Sequence, residues 1–144
     1  MLFRDTIEPL LAATGAHQPP IDPAAVARHL GLEVRLVYCL PDEVGGALDR
    51  RRRLILINAR HPTTRRRFSL AHELGEWLLE SVEHAEVDRF AAALLMPAHL
   101  VDFHCTRKWQ AEWVARRFGV SRAVARKRME ELGYGTIRHQ PTAG

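Results

Sequence analysis

The segment from Arg67 to Leu79 constrains the fold of this 144-residue chain more than any other. Pro62, Thr63 and Thr64 supply a proline and a threonine cap, which predicts a helix that starts there and runs to about Glu80. At 100° per residue, Phe68, Ala71, Leu74, Gly75 and Leu78 share one apolar face. His72 and Glu76 stand one turn apart on the adjacent face, with Glu73 beside them and rotated outward from the apolar stripe. A fold that accepts this helix must bury one side and leave the next side free for polar chemistry.

The rest of the chain can supply that cover. A second helix is expected from about His84 to Met96, stopped by Pro97 and joined to the first by the short link 81–83. It packs through alanines, and Phe90 and Ala93 flank the face carrying Glu86. Upstream, residues 2–13 read as a helix with Ile7, Leu10 and Leu11 on one stripe. Asp22 and Pro23 start another, as a carboxylate N-cap and a first-turn proline, and Gly31 ends it. Leu32, Val34, Leu36 and Tyr38 alternate with Glu33 and Arg35 at the period of a half-buried strand. Residues 44–49 and the run Leu54-Ile55-Leu56-Ile57 form an expected hairpin, giving a small antiparallel sheet of three strands. Residues 111–132 read as two helices joined at Gly119, and residues 135–144 as a frayed tail.

Composition narrows the class. Apolar residues make up 47% and charged residues 26%, the balance of an ordinary globular domain. No run approaches the roughly 18 apolar residues of a membrane helix, and the first residues lack the pattern of a signal peptide. A cytoplasmic protein with no membrane partner is expected. Two isolated cysteines, Cys39 and Cys105, exclude a disulfide framework and a four-cysteine zinc site. The net charge of +4 permits nucleic acid or an acidic partner and demands neither. Eight histidines make a metal or proton-transfer role worth testing.

An imidazole and a carboxylate one turn apart can hold one metal ion, and a neighbouring carboxylate can act on the ion's bound water. This is the logic of the His-Glu-x-x-His helix of zinc proteases. Here the last position is Glu76, and His-Glu-x-x-Glu alone reads equally as a solvated face. Two antiparallel helices joined by a short link would let Glu86 point at His72 and Glu76, adding a ligand from a second helix.

The run Arg67-Phe68-Ser69-Leu70-Ala71-His72-Glu73-Leu74-Gly75, followed by Glu86-x-Asp88-x-Phe90-Ala91-Ala92-x-Leu94-Leu95-Met96-Pro97, resembles the ImmA/IrrE family of bacterial and phage metallopeptidases. Ile21-Asp22-Pro23, Gly46, Leu54 to Asn58, Phe118 to Ser121 and Leu132-Gly133 fall in the family's order, so the resemblance spans roughly residues 20–134. It implies an α+β, mostly helical zincin-like fold. The metallopeptidase-like domain would cover 1–105, with a helix-turn-helix-like segment at 106–134 packed on it and a tail at 135–144. It implies a metal-dependent endopeptidase that cleaves a helix-turn-helix transcriptional repressor, switching on stress or mobile-element genes. By motif position His72 would be the first metal ligand, Glu73 the general base and Glu86 the glutamate ligand. Glu76 falls where the family has its second histidine. One histidine and two carboxylates suit zinc (Zn2+) less well than two histidines, and manganese (Mn2+) gains ground. Three readings stand: an active enzyme with an altered site, a weak metal binder, or an inactive relative serving as a protein- or DNA-binding regulatory module. His84, His99 or His104 could supply an imidazole or be ordinary histidines.

Three further features call for a reading of their own. Ser121 caps a basic helix bearing Arg122, Arg126, Lys127 and Arg128, which reads either as the second helix of a DNA-binding pair or as a solvated face on a packed hairpin. Weak or no direct DNA binding is expected. Arg65, Arg66 and Arg67 oppose the dipole of their helix, a small cost that acidic groups of a partner would offset. Gly45-Gly46 marks either a flexible turn or an edge strand that accepts an extended peptide.

Overall fold

The computed structural model describes residues 3–80, 83–105 and 109–135. Most of the link at 81–83 and nearly all of the tail therefore lie outside the described residues. The elements run α1 (Arg4–Thr14), α2 (Pro23–His29), β1 (Glu33–Val37), β2 (Gly46–Asp49), β3 (Leu54–Asn58), α3 (Thr63–Leu79), α4 (His84–Leu95), α5 (Ala98–His104), α6 (Ala111–Phe118) and α7 (Arg122–Glu131). The chain is α+β and mostly helical, with one three-stranded sheet among the described residues.

Local chemistry sets several of these boundaries. The Asp22 carboxylate accepts the Ala24 N–H at 3.0 Å and opens α2. Ser121 does the same for α7 through the Val124 N–H at 3.1 Å. Gly119 ends α6 in the left-handed conformation, at φ 68°.

The sheet corrects one expectation. β2 and β3 form the antiparallel hairpin, but β1 pairs with β3 in parallel, in the order β1-β3-β2. β3 is the most apolar strand, and Ile55 and Ile57 are fully buried in its centre. The connection from β1 to β2 skips past β3, and Asn58 holds it there. Its two amide hydrogens go to the carbonyls of Pro41 (3.1 Å) and Val44 (3.0 Å), and its side-chain oxygen accepts the Arg60 N–H at 2.9 Å. The Asp42 carbonyl can only accept, so His61 donates from Nε2 in their 2.7 Å contact. A loop pinned this way carries the chain past β3 and brings β2 in on its far side. The half-buried reading of β1 is also corrected: Leu32 is buried, but Leu36 and Tyr38 are 56% and 75% exposed, β1 being a sheet edge with an open groove beside Leu36.

The helical hairpin α3–α4 is the structural centre. Gly75 permits its close approach, since a Cβ there would stand 2.9 Å from Phe90 Cδ2 and 3.0 Å from Val87 Cγ1. Phe90 and Val87 are themselves fully enclosed, so neither can yield. Gly75→Ala is therefore expected to cost about 1–3 kcal/mol by overpacking, measured as a lower urea midpoint with an unchanged m-value.

The C-terminal helices complete the same core, to which Val114, Phe118, Ala125 and Met129 all contribute. Two guanidinium groups hold them. Arg67 of α3 donates to the carbonyls of Gly119 (2.9 Å) and Phe118 (3.1 Å) at the open end of α6, and Arg128 of α7 donates to the Met96 carbonyl at 3.0 Å.

Candidate metal centre

α3 and α4 bring four polar side chains together. His72 Nδ1 lies 2.8 Å from Asp88 Oδ1 on α4, and Nε2 lies 2.9 Å from Glu76 Oε2 one turn further along α3. The His84 ring, in the first turn of α4, stacks on the His72 ring at 5.7 Å and 16°. One ligand atom each from His72, Glu76 and His84 falls within 4.8 Å of the others, close enough to share one ion.

The electrostatics follow from this packing. Burial alone would push the His72 imidazole down, but hydrogen bonds to Asp88 and Glu76 outweigh it and hold the ring above its ordinary value. A proton and a metal ion compete for the same Nε2 lone pair. Asp88 behind Nδ1 matches the carboxylate–histidine arrangement that orients metal-bound imidazoles. Arg50, at the end of β2, lies over the Trp77 ring at 5.5 Å and donates to the Glu76 carbonyl, tying the hairpin turn to the last turns of α3.

Glu73 departs from its expected outward position: it is buried. The sheet packs over this side of α3. Gly46 lets β2 lie close against β3, since a Cβ there would stand 2.9 Å from the Leu56 carbonyl and 3.0 Å from Ile57 Cδ1, and it leaves Glu73 Cγ at ordinary contact distance. Burial, with the Glu76 carboxylate adding to it and His72 opposing, pushes Glu73 up to about 7. A carboxyl group poised there can accept and return a proton near neutral pH.

The other sequence candidates are placed as follows. Glu86 is half-buried in the first turn of α4 and is not part of the converging group. His84, one of three spare histidines by sequence, is part of it. His104 contacts Arg117 at 3.4 Å. Asp88 carried no sequence signal beyond its place two residues after Glu86. On α7, Arg122, Arg126 and Lys127 are exposed. The Arg128 side chain is only 11% exposed and is committed to the Met96 carbonyl. Among the described residues no helix is long and apolar enough to cross a membrane.

The family model for Peptidase_M78, the IrrE N-terminal-like domain, matches residues 30–130. No curated protein matches the chain. Among solved structures, a Mycobacterium tuberculosis transcriptional regulator superposes with a TM-score of 0.73 at 17% identity, over 88% of this chain and 45% of that one. The chain thus spans less than half the length of that regulator, and at this identity the likeness is one of fold.

Proposed function

This chain belongs to the Peptidase_M78 family of IrrE N-terminal-like domains, and on that premise we propose that it is a metal-dependent peptidase acting on a protein substrate. The observation that carries the reading is the convergence of His72, Glu76 and His84 in front of Asp88. The imidazole missing at position 76 is supplied across the hairpin by His84, which restores two histidines and a carboxylate. Glu86, two residues further on, is the ligand that the family motif implies and stands as the alternative third donor. This set fits zinc, with manganese a competitor through its oxygen donors.

A divalent ion held there would supply Lewis acidity and lower the pKa of a bound water. Glu73 is the proton acceptor in this reading and returns the proton to the leaving amine. Asp88 orients His72. β2 is an edge strand beside Glu73, so an extended substrate can add to it and bring its scissile bond over the site. A helix-turn-helix transcriptional repressor is the substrate we propose, with a cytoplasmic setting.

A second reading, an inactive regulatory module, draws support from His72, both of whose ring nitrogens already face carboxylates. Metal analysis after chelator-free purification separates the two. We expect one zinc or manganese per chain, and a site that stays empty when either metal is added would favour the module.

The exposed residues of α7 support only weak, sequence-independent DNA contact. We expect any complex to weaken steeply between low and physiological salt in a mobility-shift assay, and Arg122→Ala, Arg126→Ala and Lys127→Ala to weaken it further. Arg128→Ala is expected instead to lower thermal stability, because it strips the Met96 carbonyl of its donor.

A further inference from the structure

β1 carries an apolar stripe that its own fold covers only in part. Val34 and Leu36 stand opposite Ile55 and Ile57 and share their face of the sheet. Between β1, α2 and α3 runs a groove of about 570 Å³, floored by Leu32, Val34, Leu36, Ile57 and Leu70. Leu36 is more than half exposed at its mouth, and Tyr38 continues the stripe.

β1 is also a sheet edge. The Glu33 N–H and the Val37 carbonyl turn inward, to Arg53 and Ala59. Strand alternation then points the backbone groups of Val34 and Leu36 outward along the free edge.

The rim is cationic. α3 begins with no acidic residue in its first turn and no side-chain cap, so the positive end of its dipole is uncompensated. Arg66 hydrogen-bonds the Thr63 hydroxyl at 3.2 Å and meets no carboxylate among the described residues. The two acids at the groove are already answered: Asp22 faces Arg28 at 3.9 Å and Glu33 faces Arg35 at 2.6 Å.

We propose that this groove docks an extended, acidic segment of a partner protein, added as a fourth strand on β1. Its alternate apolar side chains fill the floor, and its carboxylates meet Arg66 and the start of α3. The charge complementarity selects an acidic occupant over a basic one. Leu70 and His72 point about 200° apart around α3, so docking here is independent of the metal centre and of the peptidase reading.

Fluorescence polarisation on the whole chain tests this, with a short fluorescein-labelled peptide alternating aspartate with valine or leucine. A matched peptide carries lysine in place of each aspartate. We expect the acidic peptide to bind at least about tenfold more tightly than its lysine counterpart, and to weaken several-fold in about 0.5 M salt. Leu36→Asp and Arg66→Glu should each weaken it about tenfold or more, with metal content and thermal unfolding unchanged because both side chains are partly or fully exposed. Equal binding of the two peptides, or undiminished binding by both variants, overturns the proposal. So does a wild-type dimer in sedimentation that Leu36→Asp converts to monomer, since a second copy would then own the groove.

Discussion

Glu73→Gln is expected to lower peptide hydrolysis by about 10²–10⁴, the usual worth of a general base, while the protein still folds and still binds its metal. Glutamine keeps the shape of the buried side chain beside Gly46 and removes the charge that burial and Glu76 disfavour. It has no carboxylate to take a proton. Cleavage of casein, or of a repressor that the wild type cuts, gives the rate, and zinc titration gives the metal affinity. Wild-type turnover by this variant would remove Glu73 from the chemistry.

Metal affinity is expected to follow position 76 just as strongly. Glu76→Ala deletes a carboxylate that lies 2.9 Å from His72 Nε2. Its loss should weaken zinc by more than the roughly 10–100-fold typical of losing an outer-shell partner. Asp88→Asn, which leaves the donors in place and changes only the group behind Nδ1, should fall within that range. Glu76→His should move the balance toward zinc over manganese, because imidazole suits zinc better than another hard oxygen donor. Calorimetric titration of both metals into wild type and the three variants checks all of this. Identical affinities throughout would exclude Glu76 as a ligand and favour the inactive module.

What could be read in advance was local. The Asp22 cap, the stop at Pro97, the α3 stripe and the motif that places His72 all depend on residues near in sequence. β1 escaped because parallel and antiparallel edges have the same alternation, and the side of β3 to which the chain returns goes with long-range bonds such as those of Asn58 to Pro41 and Val44. Glu73 was expected to turn outward because the helical wheel records angles within α3 and cannot register a sheet laid over it. His84 stood only as one of three spare histidines and Asp88 only as a motif position, and neither could be assigned to His72 for a related reason. Their role depends on the phase of α4 against α3, which Gly75, Val87 and Phe90 set by contact.

Arg67 and Arg128 bear on how the chain comes apart. Each guanidinium rises from one part of the molecule and ends on a backbone carbonyl of another: Arg67 on α6, and Arg128 on the end of α4. Carbonyl oxygens do not titrate, and arginine keeps its proton throughout the working pH range. These ties therefore hold in acid and in base alike, unlike a carboxylate pair. A fragment ending before α6 would lose the acceptors of Arg67 and uncover the apolar pockets that Phe118 and Met129 fill. α5 and α6 should consequently melt in one transition, and a chain truncated before α6 should not form a stable half.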